Sequence, residues 1–191
     1  GNPENVFKID NNLYTIRMFF YYNTFAYCSQ FIDFNNIHSI MEIGGGDGKQ
    51  TEVIKKLYPH IPFYLLDIPP QLYVAEQYLS TVFPGSVVSY RETRKMDKIP
   101  NTPGKIFILP TSKISAVSNY DLFLNQQSFQ EMEPDIVLNY LKYINKQSKY
   151  VFLSNALKGK EVAKKTGSHG VLKQTTLSHY LDGLDNFETV N

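Results

Sequence analysis

Short runs of apolar residues alternate along the chain with longer stretches whose apolar residues recur at helical spacing. The short runs, which predict buried strands, cover residues 40–43, 63–68, 87–90, 106–109, 120–124 and 150–157. The amphipathic stretches predict helices that begin near Lys49, Pro70 and Pro134. Strands that alternate with helices in this way form a mostly parallel sheet with helices on both faces. The pattern therefore predicts a doubly wound α/β fold.

The first part of the chain departs from this alternation. Residues 11–34 are rich in aromatic side chains at helical spacing. The polar residues Arg17, Asn23 and Gln30 interrupt the apolar run. We therefore expect an amphipathic helix or helix pair that covers one edge of the sheet, and no membrane span.

The end of the chain predicts smaller elements. The Lys- and Gly-rich residues 158–170 predict a mobile surface loop able to close over a substrate, followed by a helix over 175–184 and a strand over 187–190. With 191 residues and 22.0 kDa, the chain has the size of one domain. We divide that domain into three parts: a helical lead-in at 1–38, a ligand-binding core at 39–157 and a terminal segment at 158–191.

The stretch Ser39–Gly48, SIMEIGGGDG, joins a predicted strand to a predicted helix through a glycine-rich turn. Glycine lacks a Cβ atom, so the backbone N–H groups of such a turn can approach a ligand closely at the carboxyl end of the strand. A dinucleotide-binding turn, G-x-G-x-x-G, would place a glycine where Lys49 stands, and no Gly-Lys-Ser/Thr of a phosphate-binding loop follows. The turn therefore fits neither a dinucleotide-binding turn nor a phosphate-binding loop.

Asp67 ends the next predicted strand, roughly 20 residues after Gly44, which is the separation at which a βαβ unit presents a carboxylate to ribose hydroxyls. A carboxylate can accept hydrogen bonds from both vicinal hydroxyls. The alternative is a surface acid that opens the turn Ile68-Pro69-Pro70. Because the glycine turn and the acid occur together at this separation, we favour the ribose role.

A polar segment, residues 125–132, follows the predicted strand at 120–124, in the cleft that such folds use for ligands. Ser128 and Glu131 belong to this segment. They are candidates for chemistry, and the alternative is that they only help to cap the helix that begins at Pro134.

Composition excludes several classes of function. The net charge of +1 and the lack of a dense Lys/Arg cluster give no reason to expect nucleic acid, so a small-molecule substrate fits better. The single cysteine, Cys28, excludes an internal disulfide, and no Cys/His spacing resembles a zinc site. No basic region followed by a short apolar core opens the chain, so we expect cytoplasmic residence.

The pattern E-x-G-x-G-x-G at residues 42–48 resembles the first motif of class I S-adenosylmethionine-dependent methyltransferases. Together with FYLLDIPPQLYVAEQYLS, DLFLNQQSFQEMEPDIVLNYL and YVFLSNAL, it resembles the bacterial putative sugar O-methyltransferases over Ser39–Leu157. The resemblance implies a Rossmann-like fold, S-adenosylmethionine as cofactor and a sugar hydroxyl as methyl acceptor. The family's sheet ends in an antiparallel hairpin, of which only one strand is visible here, so we expect an incomplete sheet or a chain shortened at its ends.

The resemblance also implies roles for individual residues. Those expected to contact the cofactor are Glu42, Gly44, Gly46, Gly48, Asp67, Ile68 and Asn125. Those expected to contact the acceptor are Gln130 and Asn155. In the family, a helix before the first motif often covers the cofactor, and in this chain that helix carries Arg17, Tyr21 and Tyr22.

The expected chemistry needs a general base, because a sugar hydroxyl is a weak nucleophile. Glu131 is the first candidate by position and His169 the second by intrinsic pKa, although a histidine in the loop GSHG is more often simply solvated. No paired acids with metal-site spacing lie near the cleft, so we expect a metal-independent route. Two alternatives stay open: an NAD-dependent oxidoreductase, disfavoured by Lys49, and a methyltransferase-like module without activity.

Overall fold

The computed structural model describes residues 5–165 and 168–190. The strands are β1 (Val6–Ile9), β2 (Asn12–Thr15), β3 (Ile40–Ile43), β4 (Phe63–Asp67), β5 (Val87–Val88), β6 (Ile106–Pro110), β7 (Tyr120–Gln126) and β8 (Ser148–Ser154). The helices are α1 (Ile16–Cys28), α2 (Lys49–Leu57), α3 (Pro69–Val82), α4 (Tyr90–Thr93), α5 (Pro134–Gln147) and α6 (Leu177–Gly183). Three short 3₁₀ turns accompany them, at Phe34–Asn36, Thr111–Ala116 and Phe129–Glu131.

The last six strands form one parallel sheet in the order β5-β6-β4-β3-β7-β8. After β3 the chain continues to β4 on one side, and it later returns to β7 on the other side of β3. In a sheet of this kind the ligand crevice lies outside the carboxyl ends of the strands where the order reverses. Ile43 lies level with Leu66, so the glycine turn and Asp67 leave the sheet at the same edge.

Helices cover both faces of the sheet, which confirms the predicted doubly wound α/β fold. Alternate strand residues face opposite sides. On one side Ile40, Phe63 and Ile108 pack with α2 and α3. On the other side Met41 and Phe123 pack with α5 and α6. Because both faces are buried, β3 and β4 are apolar along most of their length.

The predicted starts of the main helices are confirmed. Helix α2 begins directly after Gly48, and prolines occupy the first turn of α3 and of α5. The last residue of α2 is not buried. Leu57 is 46% exposed and lines a groove of about 1260 Å³ that lies between α2, β2 and the start of α1.

The helix prediction for residues 11–34 holds for α1 and is wrong for residues 12–15. These residues form β2, which pairs antiparallel with β1. The two residues between the strands, Asp10 and Asn11, have φ values of 46° and 65°, which suit a tight hairpin turn. Thr15 then caps α1 by accepting a hydrogen bond from the Met18 N–H at 3.3 Å.

Two predicted strands differ from the structure. Strand β5 stops at Val88, because Ser89 forms a capping box with Glu92 and starts the short helix α4. The strand predicted at 187–190 is wrong, because these residues are not assigned to any strand. In the part of the chain that the structure describes, β8 is therefore the last strand of the sheet. No helix among the described residues is long and apolar enough to cross a membrane.

Candidate functional site

The glycine turn and Asp67 meet directly. The Gly46 N–H donates a hydrogen bond to Asp67 Oδ2 at 2.8 Å, and the Ile68 N–H donates to Oδ1 at 2.7 Å. Burial raises the pKa of Asp67 above its usual value, and these two N–H groups oppose the shift because they stabilise the carboxylate. Each oxygen keeps a second acceptor position. Asp67 is thus held in one orientation at the crevice and can still accept hydrogen bonds from a ligand.

The glycines of the turn make room for different neighbours. A Cβ atom on Gly44 would lie 2.1 Å from Ser128 Oγ, so this glycine lets the segment after β7 pack against the turn. A Cβ on Gly48 would lie 2.7 Å from Leu79 Cδ1 of α3. A Cβ on Gly46, which has φ +56°, would have no atom within 4 Å. Of the three predicted glycines, Gly46 is therefore the one that faces open space beside Asp67.

Two acidic oxygens near the turn are buried without a hydrogen-bond partner in the described chain: Glu42 Oε2 and Asp47 Oδ1. Glu42 is only 2% exposed. Burial, reinforced by the nearby carboxylates of Asp67 and Asp47, raises the pKa of Glu42 to about 8. Buried acceptors without donors are uncommon in folded proteins, so each of these two oxygens is open to a donor from water, an ion or a ligand.

Helix α1 lies over this turn. Arg17 Nη1 is 3.4 Å from Asp47 Oδ2, and the half-buried Tyr21 lies near the same acids. Burial raises the pKa of the Tyr21 phenol, and the adjacent Arg17 guanidinium lowers it. Tyr22, the third residue suggested for this helix, is exposed and lines the groove beside α2. The predicted cover over the crevice thus contains Arg17 and Tyr21.

A series of polar side chains that no sequence pattern predicted connects α1, β7 and α2. The Thr24 hydroxyl donates to Gln126 Oε1 at 2.8 Å, and Gln126 Nε2 donates to Gln50 Oε1 at 3.0 Å. Gln50 is fully buried. The available signal was the position of Gln126 at the end of a predicted strand, beside Asn125. These hydrogen bonds tie α1 to the carboxyl end of β7.

The predicted residues Asn125, Gln130 and Asn155 lie together at the ends of β7 and β8. Asn125 is fully buried, and its Nδ2 donates to the Ile43 carbonyl at 2.8 Å. Its Oδ1 accepts from Asn155 Nδ2 at 3.0 Å, while Gln130 Oε1 accepts from the Ala156 N–H at 2.6 Å. These bonds orient the residues that border the crevice. Direct contact of the three side chains with ligands stays a prediction.

Glu131 is exposed and forms an ion pair with Lys160. Neither Glu131 nor Ser128 caps α5, whose N-cap residue is Glu133. The Glu133 carboxylate instead accepts hydrogen bonds from the Leu172 and Lys173 N–H groups at 2.8 and 2.7 Å, which fastens the terminal segment beside Glu131.

His169 and Ile68 are exposed. Residues 166 and 167 of the loop predicted over 158–170 lie outside the described residues. Among the described residues, no three His, Cys, Asp or Glu side chains are grouped so that they could hold a metal ion.

Comparison with known sequences identifies an O-methyltransferase domain model that matches residues 26–110. The demethylspheroidene O-methyltransferase of Rhodobacter capsulatus is 38% identical over 47 residues, which make up 25% of this chain and 12% of that protein.

Three solved structures are similar in fold. The N-terminal domain of EvdMO1, solved in the presence of SAH and D-fucose, has a TM-score of 0.57 at 14% identity, covering 95% of this chain and 79% of that chain. The mitomycin 7-O-methyltransferase MmcR has a TM-score of 0.55 at 17% identity, covering 81% of this chain and 43% of that chain. The magnesium protoporphyrin IX methyltransferase ChlM of Synechocystis, with bound SAH, has a TM-score of 0.56 at 10% identity, covering 89% of this chain and 72% of that chain. This chain thus spans less than half of MmcR.

Proposed function

We propose that this chain, which has the Rossmann-like fold of class I methyltransferases, transfers the methyl group of S-adenosylmethionine to a hydroxyl oxygen of a small acceptor. The observation that carries the proposal is the 2.8 Å hydrogen bond between the Gly46 N–H and Asp67 Oδ2, which unites the glycine turn with the acid suited to a ribose. The match to the O-methyltransferase domain over residues 26–110 supports oxygen as the methylated atom.

The residues at the crevice fit an adenosyl ligand that carries an amino acid. Asp67 would accept hydrogen bonds from the ribose hydroxyls, and the exposed Ile68 would border the adenine. Gly46 leaves the space through which the ligand approaches the backbone. Glu42, buried without a partner for Oε2, would accept from the ammonium group of the amino acid. S-adenosylmethionine supplies an electrophilic methyl group on a sulfonium sulfur when it is bound.

The methyl acceptor in this proposal is a sugar hydroxyl. Two observations support it: the resemblance of residues 39–157 to sugar O-methyltransferases, and the fold shared with a domain solved beside D-fucose. Glu131 would accept the proton of the hydroxyl, since it lies in the polar segment that follows β7 at the carboxyl edge of the sheet. Asn155 and Gln130 would orient the acceptor. His169 is the alternative base.

Titration calorimetry with the unaltered protein tests the cofactor. We expect S-adenosylmethionine and S-adenosylhomocysteine to bind and NAD not to bind. Gly46→Ala places a methyl group in the open space beside Asp67, so we expect at least a roughly tenfold loss of affinity. Gly85→Ala is the matched control, since Gly85 also has positive φ, +76°, and no atom within 4 Å of its Cβ position. Binding of NAD alone would support the oxidoreductase instead. If both variants bind the ligand with equal affinity, the glycine turn does not contact it.

Mass spectrometry of products from a panel of monosaccharides and nucleotide-linked sugars tests the acceptor. A gain of one methyl group identifies a substrate. Glu131→Gln should then reduce turnover strongly and leave the affinity for S-adenosylhomocysteine nearly unchanged. Normal turnover in this variant, together with loss of turnover in His169→Gln, would transfer the base to His169. Cofactor binding without methylation of any hydroxyl acceptor would favour the inactive module.

A further inference from the structure

The first half of α1 extends above the glycine turn and places a cation there. The second half of the helix is anchored by the buried residues Thr24 and Cys28, whereas Arg17 in the first half has a side chain 65% exposed to solvent. In spite of this exposure, the Arg17 guanidinium lies 3.4 Å from Asp47 in the turn. The helix therefore holds Arg17 at the mouth of the crevice.

The charges around this mouth form a complementary set. Glu42 and Asp47 each have one buried oxygen without a partner in the described chain, and the largely exposed Arg17 side chain pairs with the other oxygen of Asp47, Oδ2. An α-amino acid presents an ammonium group and a carboxylate on one carbon. The ammonium has three N–H donors for the two orphaned oxygens, and the carboxylate matches the planar fork of a guanidinium.

The ion pair between Arg17 and Asp47 does not by itself explain why Arg17 lies beside the turn. Exposed pairs of this kind contribute little to folding stability. The pair also leaves Asp47 Oδ1 without a donor. A guanidinium has five N–H groups, so Arg17 can hold Asp47 and still donate to a second carboxylate.

We propose that Arg17 binds the carboxylate of the amino-acid end of the methyl donor, while Glu42 and Asp47 accept from its ammonium group. The inference rests on the proposed function and adds a specificity-determining residue outside the glycine motif. Arg17 thereby selects an adenosyl ligand with an intact amino acid over a nucleoside without one.

Titration calorimetry with two ligands tests this assignment. S-adenosylhomocysteine carries the amino acid, and 5′-methylthioadenosine retains the nucleoside and the sulfur but lacks the amino acid. Arg17→Gln should weaken S-adenosylhomocysteine binding by about tenfold or more, the scale of a charged hydrogen bond, and should change 5′-methylthioadenosine binding less than about twofold. Arg91→Gln removes the same charge from an exposed arginine of α4, a helix that packs on β6, and should affect neither ligand.

The possible outcomes separate the two proposals. If Arg17→Gln weakens both ligands equally, or neither, the assignment of Arg17 is overturned while the methyl-donor site stands. If the unaltered protein binds neither ligand, the proposed function itself is overturned, and the assignment of Arg17 with it. Because Arg17 is largely exposed, we expect the variant to retain its melting temperature without ligand, which thermal unfolding verifies.

Discussion

Glu42→Gln should make the protein more stable at neutral pH and a poorer binder of its cofactor. In the folded protein, burial and the neighbouring carboxylates raise the pKa of Glu42 from 4.5 to about 8. The folded state therefore keeps a proton on Glu42 in a pH range where the unfolded chain has lost it. Stability must then fall as pH rises from the unfolded pKa towards the folded one.

The magnitude follows from a difference of one bound proton. Between about pH 5 and about pH 7 the free energy of unfolding loses about 1.4 kcal/mol per pH unit from this group, so about 3 kcal/mol in all. Glutamine has nearly the same shape and does not titrate. The free energy of unfolding of the variant, relative to that of the unaltered protein, should therefore rise by about 3 kcal/mol between these two pH values. This is a large share of the typical free energy of unfolding of about 5–15 kcal/mol.

Urea denaturation at several pH values between about pH 5 and about pH 8 measures this difference. Glu188→Gln makes the same change at an exposed glutamate and serves as the matched control. If the Glu42→Gln difference stays constant across the range, Glu42 is ionised in the folded state and the reasoning from its burial is wrong. Titration with S-adenosylhomocysteine on the same samples should show that the variant binds more weakly, since an amide replaces the acid that we propose accepts from the ammonium.

Two further predictions concern the contacts around the crevice. Asp67→Ala should weaken S-adenosylhomocysteine binding by about 1–3 kcal/mol in calorimetry, since charged hydrogen bonds to the ribose are lost; unchanged affinity would remove Asp67 from the ribose role. Thr24→Val keeps the shape of the side chain and deletes its 2.8 Å hydrogen bond to Gln126, so the free energy of unfolding in urea should fall by about 1 kcal/mol. An unaltered stability would show that water replaces the hydroxyl at Gln126.

The fold could be predicted because its determinants are local. Apolar runs marked the sheet strands, and prolines and the glycine turn marked the helix starts. The first strand pair was missed, because aromatic residues at helical spacing concealed a turn that depends on positive φ at Asp10 and Asn11. The strand expected near the chain end was wrong, since a segment as short as residues 187–190 does not by itself supply a pairing partner.

The candidate site likewise contains residues that the sequence predicted and contacts that it did not. The glycine turn and Asp67 were recognisable, since their spacing is a property of one βαβ unit. The contacts of Arg17 with Asp47, and of Thr24 with Gln126, join residues far apart in the chain. No periodicity in the sequence reports such pairs, because they depend on how α1 packs over the finished sheet.

The distribution of unpartnered polar groups ties the site to the fold. Four of the seven buried side-chain atoms without a partner in the described chain belong to residues 42–51, the end of β3 and the start of α2: Glu42 Oε2, Asp47 Oδ1, Gln50 Nε2 and Thr51 Oγ1. Each such group destabilises the folded chain by about 1–3 kcal/mol. A turn that served only to connect a strand to a helix could carry apolar residues at these positions. The two acidic acceptors among them, Glu42 Oε2 and Asp47 Oδ1, are close in the chain to Gly46, where the backbone faces open space. Their lack of donors is explained if a ligand with a cationic N–H group completes these two hydrogen bonds.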